Sequence, residues 1–225
     1  MTVSVMNAWT ILFKGGPMMW PILLLSIVAM AIGINRLIAL ASIERALPLQ
    51  KQRLLDSLRL GRLKDTMRLC EEQGVLGAIL KQGILKFGSS RDLIKGSMEE
   101  VFDYEAARIK QHMDLLSLVI NAAPLLGILG TVNAMTVVFH AVQIRSNLLN
   151  PLTAGELASG IWQALLTTAA GLTVGVLGFA IYGFCAARIN TVMSYFQRSI
   201  NEMTNVLLQL AELKRTSQES SGHEF

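Results

Sequence analysis

Residues 115–144, LLSLVINAAPLLGILGTVNAMTVVFHAVQI, run from Asp114 to Arg145 without an Asp, Glu, Lys or Arg. A bilayer core of ~30 Å takes about 20 helical residues to cross. The stretch is therefore long enough to span, with turns left over. Two more stretches share the property: Gly15–Asn35, between Lys14 and Arg36, and Leu157–Ala187, between Glu156 and Arg188. The apolar fraction of the 225 residues is 52%, against a usual ~45–50%, and the excess is gathered into these three runs. The expected fold is an all-α membrane protein with three transmembrane helices, two of them, the second and third, extended into a cytoplasmic helical bundle.

Orientation follows from the basic residues. Lys14 precedes the first run and Arg145 separates the second from the third; the rest lie between Arg36 and Lys110 or from Arg188 onward. The asymmetry places Arg36–Asp114 and the C-terminus in the cytoplasm, and the N-terminus and the Arg145–Glu156 hairpin outside. The first run is too long for a cleaved signal peptide and ends without a small-residue cleavage site.

The organisation this implies is an N-terminal interfacial helix over 1–16, a first transmembrane helix over 17–41 and a cytoplasmic helical region over 42–114. A second transmembrane helix over 115–144 follows, then a periplasmic hairpin over 145–156 and a third transmembrane helix over 157–187. A cytoplasmic helix over 188–215 and a disordered tail over 216–225 complete the chain. Within 42–114, Gly61, Gly74 and Gly83, with the turn Gly88-Ser89-Ser90, divide the region into short helices. From Arg91 to Asp114 good helix formers follow without Pro, and Ile94, Met98, Val101 and Phe102 share a face. This segment is expected to run unbroken into the second span. Past the third span, Ile189, Val192, Met193, Phe196, Ile200, Met203 and Val206 continue a helical stripe.

The spans are unusually rich in small and hydroxyl residues. The second holds Asn121, Pro124, Gly127, Gly130, Thr131, Asn133, Thr136 and His140. The third holds Gln163, Thr167, Thr168, Gly171, Thr173, Gly175 and Gly178. Such residues let membrane helices approach closely and bond across the seam; the same residues could line a polar pore. Ala164, Thr168, Gly171 and Gly175 fall near one face, and Gln163 and Thr167 share the adjacent one. No Asp, Glu, Lys or Arg lies within a span, and His140 is the one ionisable group there besides Tyr182 and Cys185. A histidine near the outer end of a span could exchange protons or simply anchor at the interface. With no intramembrane carboxylate, any proton carrier carboxylate belongs to another chain. Arg36, Arg45 and Arg188, flanking the spans on the cytoplasmic side, are candidates for lipid headgroup contact. Cys70 and Cys185 give neither a disulfide framework nor metal spacing. No nucleotide loop, metal site or catalytic triad is present, so the chain is not read as an enzyme, and neither a cofactor nor a nucleic-acid partner is expected.

The segment Ala123-Pro124-Leu125-Leu126-Gly127-Ile128-Leu129-Gly130-Thr131-Val132 resembles the second-span signature of the MotA/TolQ/ExbB family. Gly160-Ile161-Trp162-Gln163-Ala164-Leu165-Leu166-Thr167-Thr168-Ala169-Ala170-Gly171-Leu172 resembles its third-span signature, and Gly15-Gly16-Pro17-Met18-Met19-Trp20-Pro21-Ile22 is similar to ExbB entries into the first span. Three spans favour the TolQ/ExbB type over the four-span flagellar MotA type.

The resemblance implies a homopentamer in the bacterial inner membrane. Its central pore would hold the single-span helices of an ExbD- or TolR-like partner, each with an essential intramembrane Asp. Ion passage, with H+ as the conducted ion, would drive work on a TonB-like or other periplasmic effector and so on the outer membrane. Thr131 and Thr168 match the family's pore-lining threonines, with Gln163, Thr167, Ala164, Gly171 and Gly175 on the same lining and Pro124, Gly127, Gly130 and Asn133 in the second-span motif. Gln163 stands where ExbB-type chains often carry Glu; an amide hydrogen-bonds but does not exchange a proton, which leaves protonation to the partner aspartate. Asn133 stands where a bulky residue is common. Two other readings remain open on the residues alone: a passive membrane scaffold for a single-span partner, and a solute transporter. The transporter reading lacks an internal repeat and intramembrane charges.

Overall fold

The computed structural model describes residues 15–145 and 153–221. Every element among them is helical: α1 (Met19–Arg59), α2 (Leu63–Glu72), α3 (Gly74–Leu85), α4 (Arg91–Lys110), α5 (Met113–Arg145) and α6 (Ala154–Ser221). Three stretches are long and apolar enough to cross a bilayer, within Met19–Arg59, Arg91–Arg145 and Ala154–Thr216, so the chain is an integral membrane protein. Most of the interfacial helix expected over 1–16, and residues 146–152 of the hairpin, lie outside the described residues.

The chain divides into two compact units. One takes the start of α1 as far as Arg36 and then His112–Cys185; the other takes Leu37–Gln111 and the chain from Ala186. They are held together by different physics. The first consists of the uncharged runs. In lipid there is little hydrophobic drive between helices, so close contact depends on small residues. Ala29 of α1 packs with Leu116, Val119 and Ile120 of α5, flanked by Ile181 and Tyr182 of α6. Gly33 lies so close to Ile181 that a Cβ there would meet its Cγ2 at 2.6 Å.

The second unit is built like a water-soluble bundle, with a leucine-rich core and a charged exterior. Leu54, Leu58, Leu76, Ile79, Leu80, Ile94, Met98, Phe196, Ile200, Met203 and Leu207 are fully buried. Burying each such side chain contributes about 1.5–3 kcal/mol in water. Phe102 tilts against Phe196 with ring centroids 6.0 Å apart, and the Thr204 hydroxyl reaches the Met98 sulfur at 3.7 Å. Ion pairs Lys51–Glu202 and Arg188–Glu44 (2.6 Å) join the later part of α1 to that of α6. The Cys70 thiol is buried, and desolvation raises its pKa to about 11, against a smaller opposing effect of Lys81. Both cysteines are free.

Several expectations are corrected here. The glycine breaks occur at Gly61, Gly74 and Gly88, each with positive φ, but Gly83 lies inside α3, where its missing side chain admits Met98 and Leu207. α1 runs as one helix past residue 41 to Arg59, with Pro48 on an exposed side. The segment from Arg91 does not run unbroken into the second span. α4 stops at Lys110, Gln111 turns extended and His112 adopts φ 69, after which α5 begins. No Gly or Pro announces this break. The Arg36 guanidinium donates to His112 Nδ1 at 2.7 Å, and this holds the junction to α1. The helical extensions are therefore those of the first and third spans rather than the second and third. The tail expected to be disordered from residue 216 is helical to Ser221.

Candidate functional site

α5 and α6 pair antiparallel along a seam of small residues. A Cβ on Gly171 would meet Ala123 O at 2.6 Å and Gly127 Cα at 2.9 Å; one on Gly130 would meet the Thr167 side chain at 2.8 Å. Pro124 cannot donate to the Ile120 carbonyl within α5, and its ring needs room. Gly175 supplies that room: a Cβ there would meet Pro124 Cγ at 2.7 Å. Gly178 accommodates Ile120 and Gly160 accommodates Val138 in the same way. Pro124, Gly127 and Gly130 of the second-span motif thus serve helix approach.

Four residues placed on a pore lining by their spacing belong to this seam. Ala164 and Thr167 are 3% and 1% exposed, and Gly171 and Gly175 are buried. α5 of the same chain packs against Thr167, Gly171 and Gly175. Thr167 returns its hydroxyl to its own helix, at Ala164 O (2.8 Å) and Gln163 O (3.2 Å). Thr168 is half-buried and bonds across the seam to Gly127 O at 3.0 Å. Thr131 is half-buried and bonds Ile128 O, one turn back, at 2.6 Å. The half-buried Gln163 turns its amide toward Gly16, occupying the space that a Cβ on Gly16 would need.

The remaining polar residues of α5 point away from the seam. Thr136 and His140 are exposed and Asn133 is half-buried. Thr136 and His140, with Thr131, Val132, Met135, Phe139 and Gln143, line an open groove of about 630 Å³ on α5. α5 also exposes Leu125, Ile128, Leu129, Val132 and Val137, and the open face of α1 is apolar over Leu23, Leu24, Ile27, Met30 and Ile34. That of α6 is apolar over Leu165, Leu172, Val176, Leu177 and Phe179, broken by Thr173, whose hydroxyl returns to Ala169 O at 2.7 Å.

At the hairpin end, Thr153 and Glu156 form a capping box that starts α6. Thr153 N donates to Glu156 Oε2 at 2.9 Å, and Glu156 N to Thr153 Oγ1 at 3.3 Å. The same carboxylate accepts from Arg145 Nη1 at 2.9 Å and so ties the end of α5 to the start of α6. The Thr153 backbone N–H, then the Arg145 guanidinium, lower the Glu156 pKa. The spacing Thr-x-x-Glu carried this signal in the sequence. The Arg36–His112 contact had no such signal.

Of the proposed lipid contacts, Arg45 is exposed, Arg36 engages His112 and Arg188 pairs with Glu44. Among the described residues no group of three or more His, Cys, Asp or Glu could hold a metal.

The model of the MotA/TolQ/ExbB proton channel family matches residues 71–198, which takes in the seam, the groove and the α4–α5 junction. A Synechocystis protein described as an ExbB-like biopolymer transport protein is 29% identical over 188 residues, 81% of this chain and 72% of the relative. A Methanothermobacter thermautotrophicus protein described as an ExbB homologue in biopolymer transport is 28% identical over 146 residues, 64% of this chain and 50% of that relative. The small-residue pairing of two spans, their motifs and this match over more than half the chain agree: the chain belongs to the MotA/TolQ/ExbB proton channel family, a channel and transport family rather than an enzyme family.

Proposed function

We propose that this chain is the ring-forming subunit of an ion-driven motor of the bacterial inner membrane. It works with a single-span ExbD/TolR-like partner that carries an intramembrane aspartate. The reading rests above all on the polar side chains Thr136 and His140, exposed on α5 among apolar ones such as Val132 and Phe139. Asn133, Thr136 and His140 lie in an uncharged span whose neighbours α1 and α6 turn apolar faces outward. Polar side chains are expensive against lipid and collect where protein or water meets them. A ring of five copies that turns α5 inward supplies such surroundings and leaves α1 to the lipid.

In this ring H+ is the conducted ion, no cofactor takes part, and the partner aspartate is the protonation site. Thr131, Thr168 and Gln163 are the residues of this chain at the conducting axis. The N-terminus and the hairpin face the periplasm and the C-terminus faces the cytoplasm. Work passes through the partner's periplasmic part, with a TonB-like or other effector, to the outer membrane. Arg36, Arg45 and Arg188 lie at the inner-leaflet headgroups, where each contact with anionic lipid contributes about 1 kcal/mol.

The test combines assembly and flux. Native mass spectrometry in mild detergent should give a pentamer, and vesicles holding pentamer and partner should take up protons under an inward gradient, while vesicles holding the chain alone should not. A monomer or dimer as the dominant species would count against the ring. A correctly assembled complex with no proton uptake would leave the chain as a scaffold for its partner.

A further inference from the structure

We propose that His140 is a proton relay station in the groove along α5, carrying protons between the hairpin end of the span and the level of Thr131. The proposal rests on the proton-conducting reading above. Three observations carry it. His140 is exposed on the groove, whose polar members Thr131, Thr136 and Gln143 lie on the same helix with it. It is the one ionisable side chain between Leu115 and Ile144. At the hairpin end Arg145 is paired with Glu156 at 2.9 Å, so these two charges are engaged with each other rather than with the groove.

The geometry suits the step. His140 lies nine positions after Thr131, a rise of about 13 Å along the helix, too far for one hydrogen bond. Thr136 lies between them, but its hydroxyl donates to Val132 O at 2.8 Å, which leaves its oxygen to accept from water in the groove. The imidazole has two nitrogens that change roles. A hydronium ion on the hairpin side delivers its proton to the unprotonated ring nitrogen and leaves as water, forming an imidazolium. The other nitrogen then loses its proton to a groove water on the Thr131 side. The ring returns to its first tautomer by rotation or exchange, so no net proton stays on the chain. Neither a hydroxyl nor an amide takes up and releases protons in this way near neutral pH.

The test is proton uptake by vesicles holding the full chain and its aspartate-bearing partner, read with a trapped pH dye, for wild type, His140→Gln and His140→Ala. Pentamer yield is measured on the same preparations. His140→Gln should assemble normally and lose flux by roughly 10²-fold, the low end of what a positioned proton donor contributes. Added free imidazole should restore flux to His140→Ala but not to a variant that keeps His140 and lacks flux for another reason, such as Thr131→Val combined with Thr168→Val. Wild-type flux retained in His140→Gln, or lost in His140→Ala without rescue by imidazole, would overturn the relay and leave His140 an interfacial anchor or a packing residue, with the channel reading intact. Absence of flux in an assembled wild-type complex would overturn both.

Discussion

The hydroxyl of Thr168 on α6 donates to the carbonyl of Gly127 on α5 at 3.0 Å, across the small-residue seam between the two spans. Gly127 has no side chain to hold the helices apart, and Thr168 uses the approach to make a bond between spans. Such bonds between membrane helices contribute about 0.6 kcal/mol on average. Helix approach, not this single bond, is therefore what holds the pair.

That balance makes Gly171 the sensitive position. A Cβ there meets backbone atoms, Ala123 O and Gly127 Cα, which have nowhere to go. Gly171→Val should separate α5 from α6, cost about 1–3 kcal/mol as overpacking and sharply lower pentamer yield. Gly183, on the same helix, has open space at its Cβ, so Gly183→Ala should leave yield unchanged. Size-exclusion chromatography of both variants from equal membrane preparations checks this. Equal yields would mean that the seam is looser than described.

The hairpin clip should respond to acid. The Glu156 pKa is lowered by the Thr153 N–H and by Arg145. A carboxylate with a lowered pKa contributes stability that is fully present above its unfolded value and is lost as pH falls through the folded value. The clip should thus hold at neutral pH and open only below the ordinary glutamate range. Spin labels near Arg145 and Thr153 should report a fixed separation at pH 7 that broadens in acid. In Glu156→Gln the separation should be broad at both pH values. A distance insensitive to both changes would show that the carboxylate does not tie the helix ends.

Cys70 offers a probe of the charged unit. Its thiol is buried, and desolvation raises its pKa to about 11, so little thiolate exists at pH 8. Maleimide should label Cys70 at least tenfold more slowly in the folded protein than in denaturant. Full labelling of the folded protein within minutes would place this thiol at the surface.

Much of this fold is legible from charge alone. The three uncharged runs mark the spans, and Ile94, Met98 and Phe102 on α4, with Phe196, Ile200 and Met203 on α6, lie buried as their helical spacing implies. The break before α5 is not legible. Gln111-His112 contains no residue that favours a break, and His112 takes its φ of 69 where its ring meets Arg36, a partner 76 residues away in the chain. The site was half legible for a different reason. Ala164, Thr167, Gly171 and Gly175 form a small-residue stripe, and the same stripe can line water or receive a helix. The position of Gly127 and Gly130 against Thr167 and Gly171 is tertiary information that the stripe does not carry. Pro124 opposite Gly175 is a further pairing that neither motif shows by itself.

The most direct measurement is proton uptake by the complex of pentamer and partner when Thr131 and Thr168 are both replaced by Val. Valine keeps the shape of threonine and removes the hydroxyl. A partner aspartate inside the ring needs hydrogen-bond partners there, because an unpaired polar group in a water-poor site costs several kcal/mol. Gln163→Glu serves as the companion, since a carboxylate beside Gly16 adds an exchangeable proton without removing either hydroxyl; it should retain flux with a shifted pH dependence. The account predicts that the double Val variant assembles as a pentamer and loses partner-dependent proton uptake. Full uptake in that variant, at wild-type pentamer yield, would contradict it and make Thr131 and Thr168 packing residues.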